Sequence, residues 1–290
     1  MAQGFVLDDA NVRLRGAIGT TARVADQSSD VAQTELLTGP TLSAVGRLRW
    51  RNDARDELSV EAGLRTQAFP TNPEIDDLNL SLFGEYRTNL ESFENAQLRL
   101  RFGIDRNSRF PDERFVRYSA QAALNLRSTS GPSSIYTLRY RYRDQNEDNS
   151  FDGFDQNEFF GSARYAWSFR DQALNQIAVT PFFDIRDADA DNFDYTEVGV
   201  RMQARYRLDD DLNLIGRARL YARNYEDDFS AAFPVRREDR RITVEAELRK
   251  AFGGNRVVFA AIGWDDNRSN IDVRDFDGVT FRAGFEFTLP

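Results

Sequence analysis

Leu214-Ile215-Gly216-Arg217-Ala218-Arg219-Leu220-Tyr221-Ala222-Arg223 carries leucine, glycine and alanine at its even positions, and mostly arginine at its odd ones. A period of two puts successive side chains on opposite faces of an extended strand. Residues 241 to 249 repeat the pattern, with Arg241, Thr243, Glu245, Glu247 and Arg249 interleaved with Ile242, Val244, Ala246 and Leu248. In the same way Tyr136, Leu138, Tyr140 and Tyr142 oppose Thr137, Arg139, Arg141 and Arg143.

Such stripes recur along the whole chain. They predict strands at 11–25, 40–52, 57–69, 77–89, 95–106, 113–127, 133–145, 155–169, 174–187, 194–208, 211–224, 239–252, 255–268 and 276–289. Residues 256–264 are apolar on both faces, which leaves their register open. An oily face and an arginine-rich face together suit a sheet closed on itself, with lipid outside and water inside. The expected fold is therefore all-β: a single closed antiparallel up-and-down transmembrane β-barrel of about 14 strands. Residues 1–10 read as a short periplasmic tail and 11–290 as the barrel.

The mean hydropathy of -0.59 does not oppose this, because only alternate residues of a barrel meet lipid. No apolar run is long enough for a spanning helix. The chain lacks cysteine and histidine, which removes the thiolate nucleophile, the commonest metal ligand and the usual proton carrier near neutral pH. No catalytic constellation is expected, and no cofactor. A net charge of -9 argues against nucleic acid as a partner. The amino terminus lacks the basic and apolar regions of a secretory signal, so we read a mature form with an added methionine, whose precursor would carry the signal.

Charge is segregated. Lys250 is the only lysine, and most arginines sit within the alternating segments. With the leucine side outward, the inner face carries Arg47, Arg49 and Arg65, then Arg99, Arg101 and Arg117. Arg139, Arg141, Arg143 and Arg164 follow, then Arg201, Arg205, Arg217, Arg219, Arg223, Arg249 and Arg282. Glu61, Glu85, Asp105, Glu158, Glu197, Glu245, Glu247 and Glu286 join them. This wall reads either as cross-strand ion-pair ladders or as a net positive lining that favours anions. Fourteen strands fall between barrels filled by side chains and barrels with open channels, which points to a narrow or gated conduit.

Acidic residues crowd the connections. Asp187-Ala188-Asp189-Ala190-Asp191-Asn192 matches the start of a calcium loop, in which carboxylates two apart converge on a hard cation. Asn192 stands where the loop needs glycine, and Val198 where it needs the closing glutamate. The two readings are a weak metal site at Asp187, Asp189 and Asp191, and a solvated anionic rim sharing divalent ions with lipopolysaccharide. Turn-like connections at Asn52–Arg55, Ser130–Pro132, Asp209–Asp211 and Gly253–Asn255 alternate with longer ones at 26–39, 70–76, 146–154 and 225–238. Short periplasmic turns and long external loops are the outer-membrane pattern, which puts both termini in the periplasm. Trp50, Tyr86, Trp167, Phe169, Tyr206, Phe252 and Phe287 fall near strand ends on the short-turn side, where an interfacial belt would sit.

The last 55 residues carry a resemblance: Arg237-Glu238-Asp239-Arg240, Gly253-Gly254-Asn255, Asp266-Asn267-Arg268-Ser269-Asn270-Ile271 and Gly284-Phe285-Glu286-Phe287-Thr288-Leu289. They resemble the closing hairpins of Gram-negative outer-membrane barrels, nearest to the barrel of the surface lipoprotein assembly modifiers and related putative porins. The resemblance implies an outer-membrane location, contact with lipid and lipopolysaccharide, and insertion by the barrel-assembly machinery. Assembly modifiers also carry a periplasmic tetratricopeptide domain, and barrels of this class end on an aromatic residue, whereas this sequence ends Leu289-Pro290. The leading expectation is a porin-like channel for small polar, anionic solutes. Two alternatives stay open: a translocation barrel for lipoprotein or polysaccharide working with a periplasmic partner, and a plugged structural or adhesive barrel.

Overall fold

The computed structural model describes residues 4–24, 32–53, 55–90, 93, 95–109, 112–128, 131–146, 153–169 and 172–290. Fourteen strands form one closed barrel in which each strand pairs with its neighbours in sequence and β1 closes on β14. They are β1 (Val6–Val24), β2 (Thr34–Arg51), β3 (Glu57–Gln67), β4 (Asp77–Asn89), β5 (Ala96–Arg109), β6 (Asp112–Leu126) and β7 (Ser133–Gln145). β8 (Gln156–Ser168), β9 (Leu174–Ala188), β10 (Tyr195–Arg207), β11 (Leu212–Ser230), β12 (Phe233–Phe252), β13 (Arg256–Ser269) and β14 (Phe276–Leu289) follow. All ladders are antiparallel. The seam between β1 and β14 runs from Val12 opposite Leu289 to Gly19 opposite Arg282.

The two faces separate cleanly. Leu138 is 65% exposed, Ile262 63% and Phe102 60%, and every strand exposes at least one large apolar side chain. Exposing one such side chain to water forgoes about 1.5–3 kcal/mol, so a band of them calls for hydrocarbon rather than solvent. Tyr86, Trp167, Tyr206, Phe252 and Phe287 are exposed on this surface at the short-turn end. On the other face, ion pairs skip over a strand, as Arg101 of β5 to Glu61 of β3 at 2.9 Å and Arg282 of β14 to Glu247 of β12 at 2.9 Å. Only the concave side of a curved sheet brings alternate strands this close, so the charged face is the enclosed one.

Three segments differ from the sequence reading. The stretch 1–10, expected as a tail, supplies residues 6–10 to β1, where a bulge between Leu7 and Asp9 brings Asp8 to 2.8 Å from Arg49. The expected loop 225–238 is a continuation of β11 and β12 into a projecting hairpin, with Asp228 opposite Arg236 and Phe229 against Phe233. Residues 256–264 acquire a register: Phe259 is 2% exposed and turned inward, while Val258 and Ile262 face out. Parts of the expected connections at 26–39, 52–55, 130–132 and 146–154 lie outside the described residues.

A recurrent device fits phenylalanine rings to the wall. On the inner face Phe83, Phe182 and Phe259 each stand directly across the ladder from a glycine of the next strand, Gly103, Gly199 and Gly284. A Cβ on any of these glycines would collide with the facing ring, so the ring lies flat over its partner. Phe183 over Gly161 and Phe285 over Gly16 repeat this on the lipid face.

Candidate functional site: the arginine-lined lumen

Most inner arginines have carboxylate partners. Glu158 of β8 is buried among Arg141, Arg186 at 3.8 Å, and Arg117 and Arg143 at 3.9 Å. Glu197 accepts from Arg219 at 2.7 Å and from Arg223 at 2.6 Å. Arg217 donates to Glu245 at 2.7 Å and to Glu247 at 3.0 Å. Arg282 donates to the same two carboxylates, and Arg249 to Glu286 at 2.5 Å. Arg101 reaches Glu61 and Glu85, Arg99 lies 3.7 Å from Glu85, and Arg49 joins Asp8. Asp105 takes both forks of Arg117, and Asp265 both forks of Arg241.

A second set has no carboxylate partner among the described residues. Arg47 reaches only Ser59, at 3.5 Å, and Arg65 has no such pair. Arg139, Arg164, Arg201 and Arg205 concentrate this deficit on β7, β8 and β10. Aromatic rings support two of them instead. Arg139 lies 4.6 Å over Phe160, and Arg201 lies 4.5 Å over Phe182 and 5.5 Å over Phe160. Arg219 shares the Phe182 ring at 5.3 Å although it faces Arg201 directly across the ladder. Like charges in that position repel. A shared aromatic face returns about 0.5–2 kcal/mol per guanidinium.

The barrel is filled unevenly along its axis. Around Glu158, near the long-loop end, the Arg143 and Arg141 side chains are only 12% and 14% exposed. Toward the other end Arg217 and Arg219 are 35% and 41% exposed. There a cavity of about 720 Å³ is lined by Arg15, Arg99, Arg164, Arg201, Arg217, Arg219, Arg249 and Arg282, against two carboxylates, Glu245 and Glu247. Several of its lining residues, Arg99, Ile135, Arg164, Gln203 and Arg249, lie within four residues of the short-turn ends of their strands. Glu85, Glu197 and Glu286, which are not among the lining residues, pair with Arg99, Arg219, Arg15 and Arg249, so of the eight arginines Arg164 and Arg201 are the ones without a carboxylate partner among the described residues.

Sequence reading had passed over Arg15, Arg186, the Phe160–Phe182 pair and Phe259. Strand parity is enough to put Arg15 and Arg186 on the inner face, whereas cross-strand register is needed to bring the phenylalanines to the site.

The acidic rim is organised for structure. Asp76, Asp155 and Asp194, each just before an even-numbered strand, accept the backbone N–H of Phe69, Gln145 and Ala188 at 2.6, 2.6 and 2.5 Å. Each carboxylate thereby staples a long connection to the strand before it. Burial pushes the Asp194 carboxyl above the usual range against the Ala188 hydrogen bond, and Asp187, Glu226 and Asp191 add to the rise. Asp187 takes a 3.5 Å contact from Asn157. Among the described residues no three carboxylates, including Asp187, Asp189 and Asp191, gather around a point that could hold a metal ion.

No family model matches the chain, and no curated protein matches it in sequence. Solved structures do match its shape. OmpT of Vibrio cholerae, expressed in the outer membrane, superposes with a TM-score of 0.53 at 10% identity, over 97% of each chain. An outer-membrane channel from Pseudomonas putida F1 gives 0.50 at 13% identity, covering 99% of this chain and 97% of that one. A bacterial polysaccharide outer-membrane secretin gives 0.50 at 13%, over 97% of each. The barrel described above thus has the fold of the outer-membrane β-barrels.

Proposed function

We propose that this chain is an outer-membrane channel that passes small polar, anionic solutes through its arginine-lined lumen. The observation that carries the reading is the short-turn cavity, which eight arginines line and where Arg164 and Arg201 have no carboxylate partner among the described residues. Its walls attract anions and repel cations, and water can fill a space of this size. The tightly packed charge cluster around the buried Glu158 forms, in this reading, the narrow part of the path. In this reading the short turns and both termini face the periplasm, the acidic rim meets lipopolysaccharide, and the insertion machinery places the barrel.

Planar-bilayer recording on the folded full chain tests it. Under a potassium chloride gradient the reversal potential should report chloride preference. No current, or preference for potassium, would overturn the reading.

A further inference from the structure

We propose that one row of the lumen, Arg164 of β8, Thr180 of β9, Arg201 of β10 and Arg219 of β11, is a binding site for a compact oxyanion of two or more charges, such as phosphate or a phosphate monoester. The site deepens the channel reading and rests on the same lumen. Thr180 faces Arg201, and Arg201 faces Arg219, directly across their ladders. The β8–β9 register, with Ser162 opposite Phe182 and Tyr165 opposite Val179, puts Arg164 at the level of Thr180. At about 4.8 Å per strand the four residues span roughly 15 Å of one wall.

Three features select the ligand. First, charge is left over: Arg164 and Arg201 have no carboxylate partner among the described residues, and Arg219 shares Glu197 with Arg223. Positions two residues above and below the row on β8, β9 and β10 are Ser162, Ala166, Phe182, Ala178, Gly199 and Gln203, all without charge. Second, two of the three cations, Arg201 and Arg219, are held in place before any ligand arrives. The Phe182 ring lies flat because it faces Gly199, with Arg201 at 4.5 Å and Arg219 at 5.3 Å from its centroid, and Arg219 also lies 4.7 Å over Tyr221. Third, planar N–H forks match the paired oxygens of phosphate, and Thr180 adds a hydroxyl between the two arginines that flank it. Chloride has one charge and no such geometry. Arg164, Thr180, Arg201 and Arg219 all line the luminal cavity, so a solute reaches the row without unfolding the wall.

The test uses inorganic phosphate and the folded full chain in detergent. Isothermal titration at constant ionic strength should show phosphate binding that an excess of chloride does not displace. Arg201→Gln should weaken it by about tenfold or more, the loss of one charge-assisted contact. Arg164→Gln should do the same, and it removes no described contact, so the fold is kept if Arg201→Gln fails to assemble. Arg268→Gln, on the outer rim, should leave binding unchanged. Phosphate that binds no better than chloride, or that binds both lumen variants as well as the parent, overturns the site. Chloride-selective current without phosphate binding removes this site and keeps the channel. Phosphate binding to a barrel that carries no current keeps the site and removes the channel.

Discussion

Replacing Glu158 with glutamine removes one negative charge while keeping the side chain's shape, so no cavity confuses the result. In the folded barrel this carboxylate is fully enclosed, with Arg141, Arg186, Arg117 and Arg143 around it, three of them at 3.8 or 3.9 Å. Leaving buried guanidinium groups without their anion costs about 3–5 kcal/mol in other proteins. These arginines keep 12–21% of their side-chain surface, so water shares part of the charge and the lower figure, ~3 kcal/mol, applies. Glu61 supplies the control. Its pair with Arg101 is about one-third exposed on both sides, and Glu61→Gln should cost only about 0.2–1 kcal/mol. Urea unfolding of the barrel in phospholipid vesicles, followed by tryptophan fluorescence, measures both. Added salt should shrink the Glu61 effect and hardly change the Glu158 effect. Equal losses for the two variants would refute the claim that the long-loop half is a buried charge cluster.

Further expectations concern the wall and the rim. Ile262→Arg puts a cation at mid-strand on the lipid side and should destabilise the barrel by about 2–4 kcal/mol in the same unfolding assay. Gly199→Val would drive a side chain into Phe182, and a gel assay of heat-resistant folded barrel should show a marked drop in yield. At the rim the raised pKa of Asp194 means that the folded chain takes up a proton at higher pH than the unfolded chain does. Stability from this group therefore grows as pH falls from the raised value to the ordinary carboxylate range, and Asp194→Asn should flatten that part of the pH profile. Hydrogen exchange at the Ala188 amide, which Asp194 accepts, reports it locally.

Strand count, closure and the identity of the lipid face were legible in the sequence because hydrocarbon imposes a strict period of two on every crossing. Where lipid is absent the rule lapses. The segment around Asp227, Asp228 and Arg236 reads as loop from its polarity, yet Asp228 and Arg236 still pair, since a hairpin in water needs no oily face. Residues 256–264 have apolar side chains on both sides, so alternation is silent there, and Gly284 opposite Phe259 gives the ring its place. The candidate site was half legible. That arginines such as Arg201 and Arg217 share a face follows from parity alone. That Arg217 meets two glutamates while Arg201 rests on phenylalanine depends on which residues the neighbouring strands bring level, and one sequence does not contain that.

The join between first and last strands ends at Gly19 and Arg282 among the described residues, although β1 runs on to Val24 and β14 begins back at Phe276. Its eight facing pairs compare with eighteen where β1 meets β2. A cylinder gives way where its fewest backbone bonds hold it shut. Thermal fluctuation should therefore open this one from the Gly19–Arg282 end of that join, and those amides of Phe276–Phe281 that point toward β1, away from their ladder with β13, should exchange with solvent before the paired amides of a central hairpin.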